Sequence, residues 1–542
     1  LHKPYVDALA VSCPTCQGKM HRTPEVIDVW FDSGAMPFAQ QHYPSRTQTL
    51  NRYPADVVIE GIDQTRGWFY SLQAISTLFT GQSAYKRVLA LGHVLDENGQ
   101  KMSKSRGNAL DPVALIDAYG ADSLRWALLV DSSPWSAKRF AERIVQEAKS
   151  KLVDTLDHAV QFYLTYAELD GFDSSRPQKH TRLDEWLLSR VHQTTYDVTV
   201  AMDDYQLTQA TRSLAQLVDE ISNWYIRRSR ERFWQADWSE EKQAAYTTLH
   251  FALSTTARLL APFTPYLADD LYKRLTGMSV HVADYPVADP TLIQPTLEYE
   301  MTQVVTVVEL GRQVRNTHAL KVKQPLASLT VQSSDTFSWS DYVALIKEEL
   351  NVKDVQFLST TGETTQFRLK LNFREAGAKF AQQANAIHQW LQQLPEQETM
   401  NLLETGSVSY QTALGHEVEV SLTDVIVEPI VKTGFAAATE GGITVTLDTR
   451  ITEALEQERW MRELVRYIQS ERKAHDLSRD ARVDLVLAID ETFRPIVESF
   501  ESLLFKHLAL SSVRLEMLEG KGNIRLGSHD VGVSFVPTKE YC

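Results

Sequence analysis

The run from Val88 to Pro112 restricts the fold more than any other stretch of these 542 residues. It opens with Val88-Leu89-Ala90-Leu91, an apolar tetrad that predicts a short buried strand. Gly92-His93-Val94 leads on to Lys101-Met102-Ser103-Lys104-Ser105-Arg106-Gly107-Asn108, a compact cationic run. Asp111-Pro112 then has the form of a helix start, with Asp as cap and Pro in the first turn. The same order occurs once before. Val57-Val58-Ile59 predicts a strand ending at Glu60-Gly61, and apolar spacing predicts a helix from Trp68 to Phe79. Strands that end in ligand-type residues and alternate with helices are the pattern of a parallel, doubly wound sheet, which binds ligands at the carboxyl ends of its strands.

Three segments carry residues suited to chemistry. In the cationic run, Lys101 and Lys104 supply mobile charge, Ser103 and Ser105 supply short hydrogen bonds, and Gly107 lets backbone approach a ligand. That set suits a polyphosphate whose charge shifts during reaction. A solvated basic turn is the competing reading. In Glu60-Gly61-Ile62-Asp63-Gln64-Thr65-Arg66-Gly67-Trp68-Phe69, the acidic groups and the amide suit an ammonium group and ribose hydroxyls. Helix capping would explain one acidic residue there, but not the whole string. In Asp28-Val29-Trp30-Phe31-Asp32-Ser33-Gly34, the two aromatic residues beside a turn would, taken alone, be core.

Composition narrows the partners. The net charge of −15 argues against a general nucleic-acid binder, because phosphate binding needs positive potential. Local patches remain: Arg227, Arg228, Arg230 and Arg232 crowd one short stretch, and Lys138, Arg139, Arg143, Lys149 and Lys151 another. Solvated helix faces would also account for both. No apolar run is long enough to span a bilayer. Three cysteines argue for a reducing compartment, hence a cytoplasmic location. Cys13-Pro14-Thr15-Cys16 suits half of a tetrahedral thiolate zinc site, with the other ligands expected upstream of Leu1. A redox pair is the alternative, although Pro14 and Gly18 fit a turn better. Cys542 is expected to be inert.

Three regions follow from patterning: residues 1–130 as above, 131–290 helical, and 291–542 mixed α/β. Leu207, Ala210, Leu214, Leu217, Ile221 and Trp224 recur every three or four residues and form one apolar helix stripe. A second helix is predicted over residues 240–260, ending at Ala261-Pro262, and Pro265 restarts the chain. Short connections between such helices predict a bundle. Beyond residue 296, strand-like runs surround Val331, Val355, Val418, Val445 and Leu485. Helix, basic loop and strand recur from Glu309 to Val331 and from Glu463 to Leu487, which reads as a duplicated module. The loop at Glu440-Gly441-Gly442 reads as the most flexible point.

Taken together, the segments resemble class I aminoacyl-tRNA synthetases. The Asp28–Gly34 and Glu60–Phe69 strings are similar to the isoleucine-specific members more than to those for valine, leucine or methionine. The resemblance implies the second half of a Rossmann-like parallel-sheet catalytic domain, a helical anticodon-binding domain, and a mixed α/β C-terminal region that binds tRNA. It implies ATP-dependent activation of L-isoleucine and transfer to tRNA(Ile), with Mg2+ expected beside ATP, by a monomer. Residues matching Glu60, Gly61, Asp63 and Gln64 would contact the aminoacyl-adenylate, and Trp30 and Trp68 would flank the side chain. Lys104, His93 and Val94 would contact ATP. Asn223-Trp224-Tyr225-Ile226-Arg227-Arg228 and Ala261-Pro262-Phe263-Thr264-Pro265 resemble the anticodon-binding helices. Lys321-Val322-Lys323-Gln324-Pro325-Leu326 resembles the junction before the C-terminal region of the eukaryote-like subtype, which lacks a C-terminal zinc module. The family's His-Ile-Gly-His signature and its editing domain are not in this sequence and are expected before Leu1. The chain alone would then be inactive in catalysis and act as a tRNA-binding fragment.

Overall fold

The computed structural model describes residues 5–24, 28–43, 45–46, 52–103, 106–235, 237–333, 337–359, 367–411, 417–429, 432–475, 482–508 and 510–537. The chain divides into two compact units, Leu1–Pro295 and Thr296–Cys542. Among the described residues, no helix is long and apolar enough to cross a membrane.

The first unit begins with a small hairpin, β1 (Ala10–Ser12) and β2 (Lys19–His21), followed by the short helix α1 (Val29–Gly34). Strand β3 (Ala55–Gly61), helix α2 (Trp68–Thr80) and strand β4 (Tyr85–Leu91) form a crossover unit in which β3 and β4 run parallel, as the strand–helix–strand pattern predicts. Val58, Phe69, Leu72 and Ala84 are buried between helix and strands. Strand β5 (Val94–Leu95) leads into the cationic run. Helix α3 (Pro112–Tyr119) starts where Asp111 accepts a 2.9 Å bond from the Val113 amide, and α4 (Ala121–Val130) follows. The two-residue strand β6 (Lys138–Arg139) pairs parallel with β5.

The rest of the unit is helical: α5 (Glu142–Ala148), α6 (Thr155–Leu169), α7 (Arg182–Asp203), α8 (Leu207–Asp219), α9 (Arg227–Trp234), α10 (Glu240–Leu260) and α11 (Pro265–Thr276). A π-helical turn, Glu220–Ile226, joins α8 to α9 without a break. Ala210, Leu214, Leu217, Ile221 and Trp224 of the apolar stripe are buried, and burying such a stripe is what holds a helix of this kind in a bundle. The start of α4 is tied to the start of α11. Asp122 Oδ2 accepts from the Leu267 amide at 2.7 Å, and Arg125 donates to the carbonyls of Phe263 at 2.9 Å and Pro262 at 3.1 Å.

The second unit carries helix α12 (Pro295–Thr317), then β7 (Leu326–Ser333), α13 (Val343–Leu350) and β8 (Val352–Ser359). An insertion follows: β9 (Phe367–Leu371), α14 (Phe373–Phe380), α15 (Ala384–Gln392), α16 (Glu396–Thr405), β10 (Ser407–Gln411), β11 (Glu417–Ser421) and β12 (Val425–Pro429). It has its own apolar core around Leu371, Ile387, Leu402 and Val420. The hairpin β13 (Phe435–Glu440) and β14 (Ile443–Asp448) then completes a sheet of order β13-β14-β7-β8. Glu440 pairs with Ile443, so Gly441-Gly442 form a two-residue hairpin turn.

Helix α17 (Glu453–Ala474) leads to β15 (Val483–Ile489), α18 (Arg494–Ser499), α19 (Glu501–His507), β16 (Leu510–Met517), β17 (Ile524–Leu526) and β18 (His529–Pro537). Their sheet order is β16-β15-β18-β17. Both sheets place the first strand beside a parallel second strand on one side and the antiparallel last strand of a pair on the other. In each, a buried arginine lies near the end of the preceding helix: Arg315 in α12 and Arg472 in α17. Arg315 holds the turn after its helix by donating to the carbonyls of Lys321 and Gln324, each at 3.0 Å.

Candidate active site and arginine helix

Glu60 and Gly61 end β3, and the turn Ile62–Arg66 carries Asp63 and Gln64 directly beyond it. Glu60 and Asp63 are exposed, whereas Gln64 is half-buried. Gln64 Oε1 accepts from the Trp68 amide at 2.8 Å and so caps α2. Asp28 caps α1 by accepting from the amides of Trp30 at 2.8 Å and Phe31 at 3.2 Å. Trp30 and Phe31 are 50% and 53% exposed, so neither is the core residue that its aromatic character alone suggests. The Trp68 indole donates to the Ser33 carbonyl at 3.2 Å, which fastens α1 to α2. Gly67, at the start of α2, sits against both groups: an added Cβ would lie 2.6 Å from Gln64 Oε1 and 2.9 Å from the Trp30 ring. Trp30, Gln64 and Trp68 therefore gather around one glycine, with Glu60 at the adjoining strand end.

The cationic loop follows β5, which two residues separate from the end of the neighbouring strand β4. His93 and Val94 are exposed just past β4. The turn after β5 is built on Asp96, whose Oδ1 accepts from the amides of Asn98 at 3.0 Å and Gln100 at 2.8 Å. Asp96 Oδ2 accepts from the Asn108 side chain at 2.8 Å, and Asn108 Oδ1 accepts from the Ser103 amide at 2.9 Å. Asp96 and Asn108 thus clamp both sides of the loop. The Asn108 bond first, then the Gln100 amide, hold the Asp96 carboxyl below its usual range. Lys101 is exposed and Ser103 half-buried; Lys104 and Ser105 lie outside the described residues. Asp96 did not stand out in the sequence as a site residue, although Asp-x-Asn-Gly is a turn signal that could have found it.

Cys13 and Cys16 lie on the knuckle between β1 and β2, where the Cys13 amide donates to the Gly18 carbonyl at 2.8 Å. Amide hydrogen bonds from Cys16 and Thr15 lower the Cys13 thiol pKa, which favours the thiolate a metal needs. Among the described residues, no group of three or more His, Cys, Asp or Glu could hold a metal ion. The knuckle therefore supplies two free thiols, Cys13 and Cys16.

The four arginines of α9 do not share one environment. Arg227 and Arg230 are exposed, and Arg228 is half-buried. Arg232 corrects the expectation of a uniform polar face. Its guanidinium grips Asp184 with bonds of 2.9 and 2.8 Å, and the Asp184 side chain is fully buried. Asp184 also accepts from Tyr225 at 2.6 Å and closes a capping box with Thr181 at the start of α7. Burial, then the Asp184 charge, raise the Tyr225 pKa well above its usual value. Arg232 turns inward because a buried carboxylate needs a bidentate partner more than the surface needs another cation.

Residues 2–141 match the family of class I tRNA synthetases (I, L, M and V), and residues 184–331 match the anticodon-binding domain of tRNA ligase. The isoleucine–tRNA ligase of Bacillus thuringiensis (strain Al Hakam) is 52% identical over 544 residues, covering 97% of this chain and 53% of that protein. The isoleucine–tRNA ligase of Deinococcus radiodurans is 41% identical over 514 residues, 90% of this chain and 47% of that protein. Among solved structures, a Mycobacterium tuberculosis methionyl-tRNA synthetase with methionyl-adenylate is similar at TM-score 0.41 and 23% identity, covering 48% of this chain and 53% of that one. The chain spans about half the length of the curated relatives it matches. Residues 2–141 therefore carry a class I tRNA synthetase domain of the isoleucine, leucine, methionine and valine group, and residues 184–331 the anticodon-binding domain of a tRNA ligase.

Proposed function

We propose that this segment supplies the signature-loop half of the active site, and the tRNA-binding helices, of an isoleucine–tRNA ligase. The observation that carries the proposal is the gathering of Trp30, Gln64 and Trp68 around Gly67, just past Glu60 at the carboxyl end of β3, in a unit whose next strand, β4, runs parallel and continues through β5 into the Lys101 loop. Relatives named isoleucine–tRNA ligase that match nearly the whole chain support the choice of amino acid.

The isoleucine carboxylate attacks the α-phosphorus of ATP. The bond to the β-phosphate breaks, and pyrophosphate leaves with the electron pair. A hydroxyl of the terminal tRNA ribose then attacks the acyl carbon, AMP departs, and the hydroxyl proton passes to solvent. No covalent enzyme intermediate is needed, so the protein contributes position and charge. Glu60 takes the ammonium group, Gly61, Asp63 and Gln64 contact the adenylate, and Trp30 and Trp68 form the apolar pocket. Lys101 and Lys104, assisted by Ser103 and Ser105, neutralise the departing pyrophosphate. His93 and Val94 lie against the nucleotide, which enters with Mg2+. Arg227, Arg228 and Arg230 face tRNA, while Arg232 supports the helix that carries them. Cys13 and Cys16 hold half of a structural zinc site, and the three-cysteine composition suits a reducing cytoplasm.

Lys104→Ala, in a full-length protein carrying this segment, tests the proposal by ATP–pyrophosphate exchange. The exchange kcat should fall on the order of 10²–10³-fold, with tRNA affinity unchanged. Unaltered exchange would overturn the role of Lys104. A second reading, that the chain by itself is a non-catalytic tRNA binder, is favoured by its span of about half its relatives. A gel shift without exchange by the isolated chain is the expected result, and exchange by that chain would refute this reading.

A further inference from the structure

Lys138 is a buried cation that the proposed mechanism does not use. Its residue is 7% exposed, and burial lowers its pKa. Its ammonium donates to two backbone carbonyls at the end of α4, Leu128 at 2.5 Å and Ser132 at 3.3 Å. Apolar packing could be had from methionine without desolvating a charge. The group makes physical sense as a cap for a helix C-terminus, where unpaired carbonyls and the helix dipole favour a cation.

The backbone of the same residue belongs to β6. The Lys138 amide donates to the His93 carbonyl at 3.0 Å, and the Phe140 amide to the Leu95 carbonyl at 2.8 Å. These bonds hold β5, the stem from which the Asp96 turn and the cationic loop depart. Leu95 bridges directly to Lys101. Gly92, next to this stem, touches Ser136 so closely that an added Cβ would collide with its carbonyl. At the other end of the tether, α8 grips the same turn of α4. The Thr208 hydroxyl shares its one proton between the carbonyls of Leu129 at 2.8 Å and Ser132 at 2.9 Å, and Arg212 donates to that of Val130 at 3.1 Å. The Ser132 carbonyl thus receives both Lys138 from the loop side and Thr208 from the bundle side.

We propose that Lys138 is a positioning residue for the Lys101 loop, fixing the loop stem to the end of α4 where the helical bundle also attaches. The inference rests on the proposed ligase activity for its kinetic consequence, and on geometry alone for its structural one. In a full-length protein carrying this segment, Lys138→Met should lower the exchange kcat about 10- to 100-fold, the scale of a small misplacement of a catalytic group. KM for ATP should rise, and KM for isoleucine should stay unchanged, because the residues for the amino acid lie beyond β3. Amide hydrogen exchange should accelerate at residues 94–103 and stay unchanged in α7 and α10. Lys138→Arg should restore most of both. If Lys138→Met fails to fold, Lys138→Gln, which keeps a donor without the charge, is read in the same two assays. A lowered Tm and active fraction with unchanged KM for ATP and unchanged loop exchange would overturn the proposal. An unmutated protein with no exchange activity would instead overturn the ligase assignment, and the amide measurement would still decide the tether.

Discussion

The Lys101 loop and helix α9 are both dense in basic residues, and they teach opposite lessons about charge. In the loop, Lys101 stays in solvent while neutral and acidic neighbours, Asp96 and Asn108, carry the structural work. In α9, Arg232 carries structural work itself, because Asp184 lies fully buried across the helix interface. A cation is free to serve a ligand when other groups satisfy the backbone around it. It is committed when a desolvated carboxylate faces it.

The largest expected effect breaks this comparison at Arg232. Arg232→Ala leaves Asp184 buried without its cation and should cost about 3–5 kcal/mol in urea unfolding, whereas Arg230→Ala should stay within about 0.5 kcal/mol. Equal costs would remove the distinction between the two arginines. The next test sharpens the loop side. Asn108→Ala should loosen the loop by about 0.5–1.5 kcal/mol, read as faster amide exchange at Lys101 to Ser103 with the bundle unchanged. The third uses pH. The folded Asp96 pKa is depressed, so its contribution is present above the unfolded value of about 3.9 and is lost as pH falls through the folded value. Because Asn108 is the main cause of the depression, Asn108→Ala should move the acid loss of loop protection to higher pH. The smallest effect concerns RNA: Arg230→Ala should reduce the salt slope of tRNA binding by about 0.7–0.9, and an unchanged slope would place the phosphate contacts elsewhere.

The strand–helix–strand unit of β3, α2 and β4 was legible because its apolar runs and turn residues act locally. So was α10, whose ends at Glu240 and Leu260 follow from a Ser239 cap and from Pro262 just beyond. The site strings were legible as residue types, yet their meeting around Gly67 was not. That contact joins α1 and α2 across 33 or more intervening positions, as the 35-residue separation of Trp68 from Ser33 illustrates. In the second unit, strand-like runs marked the strands. The separate core of the 367–429 insertion was invisible, because nothing local says which strands share a sheet.

The sequence by itself determined the chemical inventory and the local elements: two strand ends bearing polar ligand groups, a cationic loop, a thiol knuckle and long amphipathic helices. Only the tertiary structure decided which charges remain available. Arg232 is paired with a residue 48 positions away, and Lys138 caps a helix while its own backbone holds the loop stem. The reason is physical. Periodicity and capping depend on neighbours a few residues apart, whereas the fate of a charge depends on which buried carboxylate or carbonyl the fold brings against it.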